Sequence, residues 1–314
     1  NRKFALSVSN GTAAVQLAIM SMDLNEGDEV IVPSTCYISP IHVLKLLKLK
    51  PIICEMNSKS FQMDPFDIEK KITKKTKLIL MIHNYGNLCE VKRIKNIAKK
   101  YKIMVLEDFA EAIFSKLNNT YAGKFGKISC CSFHATKTLT TGEGGMLLTN
   151  NIELINECNI YKHDGRKERG VDIIDRKGYN YRLTELQAAV GVAQLGKSER
   201  FIKRKKQNQE LFKQLLKDLD SIDVFNFNPE GDIVPHRNII FVPDASKLIE
   251  HLVANGVGAR TLFMPMHSQP CYNYLGDFPI TEKLYKTGVC LPSAPSLTNN
   301  NIEYICSLIK KYYS

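Results

Sequence analysis

Long apolar runs are missing from this sequence. No stretch approaches the ~20 consecutive apolar residues that a membrane span requires, and no charged-then-apolar leader is present. Cysteine motifs are missing as well. The nine cysteines stand singly apart from the neighbours Cys130 and Cys131, with no CxxC pair and no Cys/His set at zinc spacing. That argues against a disulfide framework or a zinc module and predicts free thiols in a reducing cytosol. The basic runs KRIKNIAKK (92–100) and FIKRKK (201–206) carry no interleaved aromatics of the kind a base-stacking platform needs. Despite a net charge of +11, they read as solvated faces of amphipathic helices, and no nucleic-acid or membrane partner is expected. There is no internal repeat and no low-complexity linker.

What is present is ordinary globular material. The 314 residues, 44% hydrophobic and 24% charged, suit one large or two medium domains. The chain opens on Asn1, within what reads as a strand, so a natural segment ahead of it is expected. Apolar runs at EVIVPS (29–34), KPIICEM (50–56), KLILMIHNYG (77–86) and IMVLEDF (103–109) predict buried strands. Helical periodicity fills the gaps at 13–22, 42–49, 64–72 and 91–101, and further strands follow at ISCCSF (128–133) and GGMLLT (144–149). This alternation predicts a mostly parallel α/β sheet covered on both faces. A strong helical pattern then runs from Leu183 to Lys217, interrupted only mildly by Gly191 and Gly196. After it come a short strand, RNIIFV (237–242), and helices at 246–255 and 299–313. We expect a large domain over 1–200 and a smaller C-terminal α/β domain over 201–314, closely packed.

Ligands of such sheets sit where the carboxyl ends of the strands meet helix N-termini. Three features fall there. SNGTAA (9–14) opens the first helix and offers backbone N–H groups at a positive dipole end, suited to a phosphate. IMVLED ends in Glu107 and Asp108; an acid at such a place is often simply a helix cap. Lys137 lies 29 residues after Asp108, in the loop SFHATKTLTTGEGGM (132–146), whose glycines permit close backbone approach. A phosphate cradle, a carboxylate and a loop lysine are together what pyridoxal phosphate requires.

SNGTAA, VPSTCY, EDFAEA, SFHATKTLTTGEGGM and GYNYRLTELQAAVGVAQL, in this order, resemble the sugar aminotransferases of the DegT/DnrJ/EryC1/StrS family. The resemblance implies a fold-type-I pyridoxal-phosphate transferase with a mostly parallel seven-stranded sheet, acting on nucleotide-linked keto sugars with glutamate as amino donor. It makes Lys137 the Schiff-base lysine and Asp108 the partner of the pyridine nitrogen. Ser132, Gly11, Thr12 and Ala13 would hold the phosphate, and Tyr37 would stack on the ring unless it is a core tyrosine. Asn180 would reach the neighbouring subunit's phosphate across a homodimer. Glu111 stands where the family usually has Gln beside the phenolic oxygen, so it should be protonated or turned elsewhere. The family's N-terminal arm does not precede the cradle here. Arg260 and His267, in GARTLFMPMHSQPCY (258–272), resemble the segment that faces the sugar nucleotide in perosamine-type 4-aminotransferases. Arg182 would bind a donor carboxylate or brace the interface, and His83 and His163 read as structural. The competing readings are a 3-aminotransferase, a dehydratase of the same fold, which would replace the lysine by histidine, and a non-catalytic binding protein.

Overall fold

The computed structural model describes residues 2–313 except 169, 273 and 275. A seven-stranded sheet dominates, in the order Phe4–Val8, Gly145–Thr149, Ile128–Ser132, Met104–Asp108, Thr76–Ile82, Glu29–Pro33 and Lys50–Cys54. All pairings from Ile128–Ser132 through to Lys50–Cys54 are parallel. Only Gly145–Thr149 runs the other way, antiparallel to both of its neighbours. The central strands are buried on both faces: every residue of Glu29–Pro33 and of Ile128–Ser132 is buried. This is why they read as continuous apolar runs, whereas Gly145–Thr149, nearer the edge, alternates between buried and half-buried.

The helices start where the sequence chemistry says they should. Asn10 caps Gly11–Met20 by accepting from the Ala13 N–H, Asp64 caps Pro65–Lys70, and Asn151 caps Ile152–Lys162. The expected long helix over 183–217 is in fact two, Glu185–Leu195 and Ser198–Leu216, parted at Gly196 and Lys197. Apolar periodicity runs through the break, but the two pieces bury themselves differently. The first has no buried residue, while the second sends Phe212 and Leu216 into a separate core.

That second core lies under an antiparallel sheet of Asp223–Val224, Asn238–Phe241, Gly288–Leu291 and Arg260–Thr261, with the Ala245–Ala254 and Asn299–Tyr313 helices packed against it. A small sheet absent from the sequence reading joins Gly231–Asp232 to the hairpin Lys116–Leu117 and Thr120–Tyr121. An apolar cluster of Met56, Phe61 and Tyr85 with Phe225, Ile239 and Leu262 links the two sheets, and Phe61 stacks on Phe241 at 4.6 Å between ring centroids. Each such fully buried side chain contributes about 1.5–3 kcal/mol. Among the described residues no helix is long and apolar enough to cross a membrane, and no group of three or more metal-ligating side chains occurs.

Candidate active site

The carboxyl ends of the parallel strands open into a cavity of about 420 Å³, well within the size of small-molecule sites. Strand alternation sends the adjacent acids Glu107 and Asp108 to opposite faces. Glu107 points away from the cavity and accepts from the N–H groups of Gly123, Phe125 and Gly126 and from Ser129 Oγ, at 2.6, 2.7, 3.0 and 2.8 Å. His83, fully buried, lies 3.3 Å from it and receives the Cys89 N–H on Nδ1, which places the ring proton on Nε2. Glu107 is thus tied to backbone N–H groups away from the cavity, whereas His83 also borders the cavity wall. Asp108 lines the cavity and has one backbone donor, Ala110, at 2.9 Å. Burial pushes its carboxyl up to about 6, opposed by Lys137 and reinforced by Glu111.

Lys137 is positioned by a tight loop. Its N–H donates to the His134 carbonyl, and the Phe133 carbonyl accepts from both Thr141 N–H and Thr140 Oγ1. The side chain reaches back so that Nζ donates to Glu111 Oε1 at 3.2 Å. His236 Nε2 lies 3.3 Å from the same oxygen, and the Tyr85 N–H donates to Oε2 at 2.9 Å. Burial alone would raise Glu111, but Lys137 and His236 outweigh it and hold the carboxyl well below the usual range. The Glu111 carboxylate is turned toward Lys137 and His236 and still borders the cavity.

The cradle has a steric signature. A Cβ added to Gly11 would lie 2.8 Å from the Ser132 Cβ, so only glycine lets the helix N-terminus close on that strand end. Gly11, Thr12 and Ser132 line the cavity, and the first-turn N–H groups of the Gly11–Met20 helix have no intrahelical acceptor. The Ala13 N–H donates to Asn10 Oδ1 at 2.8 Å, because that side chain caps the helix, and Ala13 does not line the cavity. Donors suited to a phosphate, a carboxylate suited to a pyridinium and an amine suited to an aldehyde thus meet in one cavity. In kind, they fit pyridoxal phosphate.

Tyr37 is 58% exposed at the mouth, edge-on to Phe263 at 6.2 Å, and is not a core tyrosine. Arg260 also lines the cavity, 5.8 Å from the Phe263 ring centre. His267 does not: its ring stacks on Phe278 at 4.9 Å with Nε2 3.3 Å from Glu282, while Nδ1 is buried without a hydrogen-bond partner among the described residues. Asn180 and Arg182 lie outside the cavity, exposed and joined to each other at 2.8 Å. Asn180 forms an isolated bridge with His163. His134 is three residues from the lysine, near Thr136 and Glu143, and does not take the lysine's place.

Among the cavity residues that escaped the sequence reading, two carry basic side chains. His236 and Arg237 stand just before the Asn238–Phe241 strand, and both line the cavity. The Arg237 Nε is buried with no partner among the described residues, and burial together with Arg260 holds its guanidinium below the usual value. The sequence signal was a short basic pair ahead of a strand, which by itself points nowhere.

Known proteins resemble this chain over nearly its whole length. A GDP-perosamine synthase of Escherichia coli O157:H7 is 39% identical over 99% of this chain and 86% of its own length. Another GDP-perosamine synthase, of Vibrio cholerae, is 33% identical over 99% and 87%. The crystal structure of S. venezuelae DesV superimposes with a TM-score of 0.94 at 26% identity, covering 100% of this chain and 86% of that one. The family model described as the DegT/DnrJ/EryC1/StrS aminotransferase family matches residues 1–310. With its seven-stranded sheet and the lysine and aspartate brought together at the strand ends, the chain belongs to the DegT/DnrJ/EryC1/StrS aminotransferase family.

Proposed function

We propose that this enzyme uses pyridoxal 5′-phosphate to convert a nucleotide-linked keto-6-deoxyhexose to its 4-amino sugar, with glutamate as donor. The observation that carries this is the convergence of Lys137, Asp108 and the Gly11–Ser132 cradle on one cavity. The two relatives named GDP-perosamine synthase supply the perosamine-type substrate class. When bound, the cofactor supplies an electron sink for the carbon that loses its proton. Lys137 would hold the cofactor through Nζ and, once freed by the amino donor, would be the base that moves the proton. Asp108, ionised, keeps the ring nitrogen protonated. Ser132 with the Gly11 and Thr12 N–H groups anchors the phosphate, and Tyr37 covers the ring face. Arg260 and Arg237, cationic at the same wall, take the anionic groups of the substrates in turn, which suits a ping-pong reaction through a shared site. We assign the protein to the cytoplasm and to a homodimer in which Asn180 and Arg182 serve the neighbouring site.

The decisive measurement is the visible spectrum of the cofactor-loaded protein before and after glutamate, alongside Lys137→Ala. We expect a band that glutamate bleaches and that the variant lacks. A band indifferent to every amino donor would overturn the transaminase reading.

A further inference from the structure

Glu111 is held from three directions. Lys137 Nζ and His236 Nε2 approach the same oxygen, Oε1, at 3.2 and 3.3 Å, and the Tyr85 N–H takes Oε2 at 2.9 Å. Glu111 and Lys137 belong to the large sheet's loops, whereas His236 precedes the Asn238–Phe241 strand of the four-stranded antiparallel sheet. The histidine is itself fixed. Its N–H donates to the Tyr85 carbonyl at 2.9 Å, and its carbonyl accepts from Lys205 Nζ at 3.2 Å and from Ser293 Oγ at 2.9 Å. Close docking at this point leaves no freedom: a Cβ on Gly86 would lie 2.4 Å from the Val234 carbonyl oxygen and 2.6 Å from the His236 nitrogen. Tyr85, at φ 60, turns its N–H toward Glu111.

We propose that His236 is a positioning residue for Lys137: by sharing Oε1 of Glu111, it keeps that carboxylate from locking the lysine as an ammonium ion. The inference deepens the aminotransferase reading, because an amine must shed its proton before it can bond an aldehyde. His236 is buried and its imidazole is pushed down to about 4, chiefly by burial, so it is neutral at working pH and offers Glu111 an N–H rather than a charge. The other ionisable groups that feel Glu111 are Asp108, Cys36, Tyr85, Arg237, Lys205 and Cys290. None of them shares Oε1 within hydrogen-bond distance among the described residues.

The test uses the protein without cofactor, so it stands or falls apart from the transaminase assay. An amine-selective acylating reagent would modify Lys137 at pH 8, with the rate read from peptide mass spectra. Removing the sharing donor in His236→Leu should slow modification about five-fold, since Oε1 is then left to the lysine alone. Glu111→Gln should speed it, and His236→Gln, which restores an N–H, should return it toward the parent rate. In the Glu111→Gln background, His236→Leu should have no further effect, since its influence passes through the carboxylate. A folded His236→Leu protein with an unchanged or faster rate would mean that the histidine only braces the interface. If that variant does not fold, a Glu111→Gln rate equal to the parent overturns the proposal equally.

Discussion

At the scale of single residues, two adjacent acids show how environment divides labour. Glu107 and Asp108 are chemically near-equivalent, yet one is saturated by backbone donors and the other is left with a single N–H. An under-satisfied buried carboxylate is a stability cost that a functional partner can offset. Asp108 therefore carries a prediction with a definite sign. Its folded value, about 6, lies above the unfolded one, so the folded state holds the extra proton between the two. The ionised form opposes folding above pH 6, and this penalty fades as pH falls toward the ordinary carboxylate range. Asp108→Asn should raise the melting temperature of the cofactor-free protein at pH 8, by about 1–3 kcal/mol of stability, with the gain gone near pH 4. The same variant should lose turnover by a large factor. Thermal melts across pH check the first claim, and a variant no more stable than its parent at pH 8 would refute it.

At the scale of elements, the Gly11–Met20 helix matters through its first turn. Its face is buried nearly throughout, so packing fixes its axis, and Asn10 fixes where it begins. The contact of Gly11 with Ser132 then sets how closely the N–H groups approach the strand end. Gly11→Ala should cost about 1–3 kcal/mol, because a methyl must be forced into a filled space. Cofactor affinity, followed by fluorescence titration, should fall at least ten-fold. Equal affinity in a folded variant would show that the cradle tolerates displacement. The Glu185–Leu195 helix presents the opposite case. A capping box between Thr184 and Gln187 starts it correctly, yet it buries nothing.

At the scale of the whole molecule, that unburied helix is the largest anomaly. Leu186 is 82% and Val192 75% exposed, with Val190 and Leu195 beside them, an apolar face that a lone soluble chain seldom presents. It adjoins Asn180 and Arg182, the two residues expected to serve a neighbouring site. The pair Leu186→Asp and Val192→Asp should convert a dimer to a monomer in sedimentation velocity runs, with turnover lost alongside. A parent protein that sediments as a monomer at micromolar concentration would remove the basis for a shared site.

Much of this protein was settled by local sequence. The five mutually parallel strands of the large sheet read directly because strands covered on both faces must be largely apolar. The cradle, Asp108 and Lys137 were legible because turn glycines, strand-end acids and loop lysines have few cheaper uses in that order. Tertiary structure alone decided the rest. The break at Gly196 read only as a mild interruption because periodicity reports which face is apolar, not what covers it. His267 and Ala13 lie outside the cavity, His267 against Phe278 and Glu282 and Ala13 with its N–H on Asn10, contacts that no spacing in the sequence announces. His236 and Arg237 came into view only once the second sheet had docked on the loop at Gly86, bringing residues 125 or more positions from Glu111 and Asp108 to the same cavity. Sequence patterns encode local conformation and burial, whereas a site assembled across two cores depends on distances that no local pattern contains.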